Sequence, residues 1–178
     1  PAVAFAALNG QPVLTFAGSQ SLCATPSGTV GSHAATLVSV VAKRTGGFSS
    51  AQTAFGFGGN GLGVGFSTAN LAHANFGASS SGAATDSVYH SIAMENVTTS
   101  ALYVDGVSVA TSSAEFPQMD TPICMGNDTG SSTPFTGNLA EAIAISAVEP
   151  QSTATYNVFS QQAVMFAAQE TALGSLPH

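Results

Sequence analysis

The stretch ALYVDGVSVATS, residues 101 to 112, limits the fold more than any other in the chain. Strand-forming runs flank Asp105 and Gly106, ALYV before the pair and VSVATS, with small polar residues interleaved, after it. An Asp-Gly pair between two such runs is the chemistry of a two-residue type I′ hairpin, whose central residues both need positive φ. Asp105 and Gly106 therefore read as a structural turn, and the flanking runs as antiparallel strands with opposite faces every second residue. SVYHSIAMEN, just upstream, keeps the same rhythm. It sets Val88, His90, Ile92 and Met94 on one face and Tyr89, Ser91, Ala93 and Glu95 on the other. His90 falls in the apolar row and reads as a hydrogen-bonded structural histidine rather than a ligand.

The same punctuation runs through the rest of the chain. QPVLTFAGSQSLCAT reads as a strand, a turn at Gly18 and Ser19, and a second short strand. AATLVSVVAKR places a buried strand over residues 35 to 42, with Lys43 and Arg44 at its wet end. In LGVGF, Leu62, Val64 and Phe66 share one face, and Gly63 and Gly65 leave the other open to a neighbouring backbone or a ligand. FGFGGNGLGVG lacks the helix and the Lys-Ser/Thr that a phosphate cradle needs. TPICMGND predicts a short strand ending at Gly126. In TPFTGNLAEAIAIS, Leu139, Glu141, Ile143 and Ile145 share one parity. Glu141 in that row reads as a sheet-end residue, a satisfied core carboxylate or a calcium-loop contributor. From Ser152 to Leu173 the period changes. Tyr156, Phe159, Ala163 and Phe166 recur at helical spacing, with Ser152 or Thr153 as cap and Gly174 and Pro177 as stop. The expected organisation is a sandwich over residues 1–150 and a helix and tail over 151–178, packed on the sandwich or on a neighbour.

Charge narrows the function classes. Lys43 and Arg44 are the chain's fixed cations against nine carboxylates, a formal net charge of -7. A nucleic-acid surface needs several cations to displace counterions from phosphates, and an anionic membrane is disfavoured for the same reason. No apolar run approaches the roughly 18 residues of a membrane span. Cys23 and Cys124 would close a loop of about a hundred residues if bridged, worth roughly 4 to 5 kcal/mol by chain entropy. Two buried thiols are the preferred reading, and no zinc spacing is present.

Short strands separated by Gly and Asp turns point to a closed or two-layered antiparallel fold. In this setting LNGQPVLTFAGSQSLCAT, VYHSIAMENVTTSALYVDGVSVA and ICMGNDTGSSTPFTGNLAEAIAIS resemble, in that order, the concanavalin A-like lectin and glucanase superfamily, in particular its laminin-G-like modules of the bacterial and phage type. Tyr89 and His90 stand at that family's common Trp-His start. Leu102, Tyr103, Asp105 and Gly106 match its hairpin, and Gly126, Phe135, Gly137 and Glu141 its closing pattern. The resemblance implies an all-β jelly-roll sandwich of two antiparallel sheets, carrying the C-terminal helix, on a secreted, cell-surface or virion protein. It also implies sequence upstream of Leu8, and the Met-less start at Pro1 fits a processed or truncated larger chain.

Catalysis finds no residues to work with. Glycoside hydrolysis needs paired carboxylates, and Glu95, Glu115 and Glu141 each stand without the family's Glu-x-Asp-x-x-Glu partner. A nucleophile elbow is also missing. The expected function is a noncatalytic attachment or assembly module of an extracellular or virion structural protein, with protein partners or identical copies. The alternative is a lectin-like carbohydrate-binding domain assisted by calcium. Its ligand residues would be Tyr89, Tyr103, Asn127 and Asp128, the tyrosines replacing the absent Trp as sugar platforms. Asp86, Asn127 and Asp128 would supply oxygen to calcium, unless the Asn and Asp residues only stabilise turns.

Overall fold

Alternation along the chain becomes pairing across it. The computed structural model describes residues 1–8, 11–25, 36–47, 49–57, 62–68, 71–75, 79–84, 88–96, 100–112, 122–127 and 133–146. These form β1 (Ala2–Leu8), β2 (Gln11–Ala17), β3 (Leu22–Ala24), β4 (Thr36–Arg44), β5 (Gln52–Phe57), β6 (Leu62–Phe66) and β7 (Leu71–Asn75). They continue with β8 (Ser79–Ala84), β9 (His90–Asn96), β10 (Ser100–Val104), β11 (Val107–Ser112), β12 (Ile123–Met125) and β13 (Thr136–Ser146). The seven-stranded sheet has the order β1-β2-β13-β4-β9-β10-β11 and faces a six-stranded sheet, β3-β12-β5-β6-β7-β8. Every pairing is antiparallel. The all-β jelly-roll sandwich expected from the sequence is what forms. The predicted C-terminal helix lies outside the described residues.

The inner faces close on one core. Val38, Val40 and Ala42 of β4, Ile92 and Met94 of β9, and Leu102 and Val104 of β10 meet Phe57, Val64, Phe66, Ala72 and Ala74 from the other sheet. Phe135 joins the two layers, stacked on Phe66 at 5.8 Å and tilted against Phe16 at 6.0 Å. Burying side chains of this size contributes about 1.5–3 kcal/mol each. The hairpin is as the sequence requires, with Val104 opposite Val107, Asp105 at φ 51° and Gly106 at φ 79°.

Three expectations change. Arg44 is not at a wet end; it is fully buried, because β4 runs to Arg44 and the next connections fold over its guanidinium. The cysteines are not thiols. Cys23 lies opposite Cys124 in the β3–β12 ladder and the two are bonded, with Cys124 buried and Cys23 exposed. The parity of β13 is broken as well. Leu139 pairs with Ala42 and Glu141 with Val41, leaving Ala140 as the extra residue of a bulge. A bulge exchanges the faces of all that follows. Leu139, Ala142 and Ala144 therefore pack on the core, and Glu141 is moved out of that row. Of the two readings for Gly63 and Gly65, the structure shows a close backbone: a Cβ on Gly65 would lie 2.0 Å from the Gln52 carbonyl oxygen.

Candidate functional site at the Arg44 end of the sandwich

Antiparallel pairing sends the connections after β2, β4, β6, β8, β10 and β12 to one end of the sandwich. Arg44 organises that end. Its Nε donates to Gly46 O at 3.1 Å, Nη1 to Ser67 O at 2.5 Å, and Nη2 to Ser50 O at 2.6 Å and to Gly47 O. One guanidinium thus ties the β4–β5 connection to the residue that follows β6. A planar fork of N–H donors suits several fixed carbonyls at once, which a lysine ammonium on a flexible stem does less well. Burial lowers the Arg44 pKa from its ordinary value.

Gln52 extends the frame. Its Nε2 donates to Gly46 O at 3.0 Å and Gly47 O at 3.3 Å, while its Oε1 accepts from Thr136 N at 3.1 Å. The connection from β12 to β13 is clamped at both of its described ends. Gly126 N donates to Ala54 O, Phe135 N to Gly126 O, and Thr53 N to Thr133 O. Gly126 has φ 84°, and a Cβ there would lie 2.2 Å from the Phe16 ring, so no other residue fits.

Further along the same end, the hairpin corner does more than turn. Asp105 Oδ1 accepts from Ser91 N at 2.9 Å, Asp105 N donates to Ser91 O at 2.8 Å, and Oδ2 meets His90 Nδ1 at 2.7 Å. His90 is the hydrogen-bonded structural histidine expected from its row. The Asp105 carboxylate pins the start of β9, a role that the turn signal alone did not reveal. Beside it the Lys43 ammonium lies over the Tyr89 ring, 5.9 Å from its centroid, a favourable cation–π geometry.

The sequence-predicted ligand residues distribute as follows. Tyr89 is half-buried against Leu8, Val13 and Val41, and a sugar stacking on it would have to share the ring with Lys43. Tyr103 packs over Ala93 on the outer face of the seven-stranded sheet. Asn127, half-buried, follows the clamped Gly126. Asp86 and Asp128 lie outside the described residues. Their connections leave from β8 and β12, which β5, β6 and β7 separate by roughly 19 Å at the usual strand spacing. Among the described residues no three His, Cys, Asp or Glu side chains are grouped to hold a metal ion. Sequence reasoning missed Arg44 and Gln52; the charge of Arg44 at the end of an apolar strand was the signal, read there as solvation.

A laminin G family profile, described as concanavalin A-like lectin/glucanases superfamily, matches residues 8–170. The chain belongs to this superfamily. No curated protein sequence is significantly similar to this concanavalin A-like domain. Among solved structures, the domain resembles Domain 4 of AbnA, a GH43 extracellular arabinanase from Geobacillus stearothermophilus, in complex with arabinotriose. The identity is 16%, over 90% of this chain and 82% of that one, with a TM-score of 0.63. It also resembles the Botulinum neurotoxin serotype D binding domain, at 12% identity, over 90% of this chain and 44% of that one, with a TM-score of 0.60. Mouse laminin alpha1 domains LG4-5 match at 19% identity, over 73% of this chain and 40% of that one, with a TM-score of 0.50. Identities this low establish the shared fold. No helix among the described residues of this concanavalin A-like domain is long and apolar enough to cross a membrane.

Proposed function

We propose that the chain is a noncatalytic attachment module of an extracellular protein that recognises carbohydrate with the Arg44 end of its sandwich. One observation carries this reading. A buried guanidinium and a buried glutamine hold the connections after β4, β6 and β12 in fixed relation, at the end that presents Lys43, Tyr89 and Asn127. A polar rim held rigid from beneath binds sugar hydroxyls without paying first to order its loops. An arabinotriose complex in Domain 4 of AbnA and the binding domain of a neurotoxin support attachment as the use of such a fold. Calcium would be held by Asn127 with Asp128, since the connection that carries Asp86 leaves from β8, roughly 19 Å from β12 at the usual strand spacing.

Among the described residues, the spacing of Asp105 and Glu141 fits a noncatalytic role. Asp105 follows β10 and Glu141 lies on β13, with β9 and β4 between them. That is roughly 14 Å at the usual strand spacing, beyond the about 5–9.5 Å that glycoside hydrolysis uses. A second reading, assembly beside identical copies or other proteins in a virion or on a cell surface, is favoured by one observation: Val3 and Leu22, on the strands that end the two sheets, are 52% and 43% exposed.

The deciding experiment is a glycan array with the purified chain, with calcium and with a chelator, followed by calorimetry on any hit. Carbohydrate recognition predicts binding that Asn127→Ala and Tyr89→Ala each weaken at least tenfold while the far-ultraviolet spectrum is kept. Failure to bind any sugar under both conditions would refute it and leave assembly.

A further inference from the structure

The outward face of the seven-stranded sheet is more covered than its strands explain. Alternation turns Ser39 of β4, Ser91 and Ala93 of β9, Tyr103 of β10 and Ile143 of β13 away from the core. Yet Ser39, Ala93 and Ser91 are only 2%, 3% and 5% exposed, and Tyr103 and Ile143 are half-buried. On the flanking strands the same face is open, with Ala2 of β1 and Ser108 and Thr111 of β11 exposed. Val41, nearer the Arg44 end, is sheltered by Leu8, Val13 and Tyr89. Tyr103 packs against Ala93. Each described strand belongs to one of the two sheets, and the second sheet packs on the inner face, so none of them lies over Ser39 or Tyr103. The rest of the cover comes from chain outside the described residues.

We propose that residues 152–173 lie along this face as a helix and seat Phe159 over Ser39 and Ala93, between Tyr103 and Ile143. Tyr156, Phe159, Ala163 and Phe166 give the segment one apolar stripe at helical spacing. β13 is a central strand of this sheet and ends at Ser146, opposite Thr36 and away from the Arg44 end. Residues 147–151 reach at most roughly 17 Å, so the helix starts beside that end of the sheet. The inner face there is filled by the core, which leaves the outward one. A helix of this length is about 33 Å long and about 10–12 Å wide. The face offers β4, about 30 Å long, and the roughly 14 Å from β13 to β10. Phe159 stands about 11 Å along the helix and Ser39 about 10 Å along β4, at the same level. The other long stretches outside the described residues, 26–35 and 113–121, each carry the chain from one sheet to the other, to β4 and to β12. A second copy is not required, because the burial belongs to the single chain. The match to the laminin G profile runs to residue 170 and so takes in most of the segment. A face covered by its own chain is closed to ligands, which removes Tyr103 from the sugar platforms. The inference does not rest on the sugar reading of the Arg44 end.

The test uses the full chain in two ways. With the photoreactive residue p-benzoylphenylalanine incorporated at position 159, irradiation should cross-link that position to Ser39, Ala93, Tyr103 or Ile143 of the same chain. In methyl NMR with a soluble paramagnetic chelate, the Ala93 and Ile143 methyl groups should relax severalfold less than the methyl of the exposed Ala2. Phe159→Ala combined with Phe166→Ala should remove that difference. Cross-links to β5, β6, β7 or β8, cross-links between two chains, or none at all would overturn the proposal. So would Ala93 and Ile143 methyls that relax like Ala2 in the parent chain. Methyls that stay shielded in the double variant would assign the cover to residues 26–35 or 113–121, with the same effect. If the double variant does not fold, the cross-link alone decides.

Discussion

Arg44→Met removes the guanidinium while keeping much of the apolar stem. Four backbone carbonyls lose the guanidinium as a donor, those of Gly46, Gly47, Ser50 and Ser67, and of these Gly46 and Gly47 keep Gln52 Nε2. Hydrogen bonds to a charged group contribute about 1.5–3 kcal/mol each in net terms. Loop carbonyls recover part of that by reaching water, and the variant no longer has to bury a charge. The expected cost is therefore about 3–5 kcal/mol, in the range for breaking a buried charged network. For a chain of this size, at about 2–4 °C per kcal/mol, Tm should fall by roughly 10 °C. Amide hydrogen exchange should locate the damage, with the amides of Ser50, Thr53 and Thr45 losing protection before those of the β4–β9 ladder. Arg44→Lys should fall between, since an ammonium reaches fewer of the four oxygens. A Tm within 2 °C of the parent for Arg44→Met would show that the carbonyl cage does not hold the end together, and the preorganisation argued for the candidate site would fall with it.

Other consequences can be measured as directly. Reducing the Cys23–Cys124 bond, which spans a sequence separation of 101, should cost about 2–4 kcal/mol in urea unfolding; thiol titration of the denatured, unreduced chain should find no free sulfhydryl, and two per chain would refute the pairing. Gly106→Val should cost about 1–2 kcal/mol, because a β-branched residue must take φ near 79°. Asp105→Asn should be close to neutral, since an amide oxygen can still accept from Ser91 N, whereas Asp105→Ala, which also abandons His90, should lose about 2 kcal/mol. Equal stability of the Asn and Ala variants would show that the carboxylate contributes nothing beyond the turn. Gly65→Ala should reduce soluble expression sharply, because its Cβ meets backbone rather than a movable side chain.

Local chemistry was enough to read the hairpin at Asp105 and Gly106, the alternating faces of β9 and the break at Gly126, because each rests on the geometry of a few neighbouring residues. Those same signals implied a two-layered antiparallel sandwich, and the pairing realises it. The candidate site was legible only in part. Tyr89 and Asn127 could be named from residue type, but not the Lys43 ammonium over the Tyr89 ring, nor the roughly 19 Å between the strands that lead to Asp86 and Asp128.

What lies beyond the sequence is whatever depends on which strands become neighbours. Cys23 and Cys124 became a bond only because β3 pairs with β12, in a register that sets them opposite one another. Glu141 left the core row because β13 must follow β4 on one side and part from β2 on the other, and the bulge at Ala140 absorbs the difference. Arg44, in one dimension a charge at the end of an apolar run, is surrounded in three by carbonyls from Gly46 to Ser67. The alternation of side chains is a property of the backbone and can be read along the chain. The partners of a buried charge, a cysteine or a bulge come from distant segments, and only the closed sandwich brings them within reach.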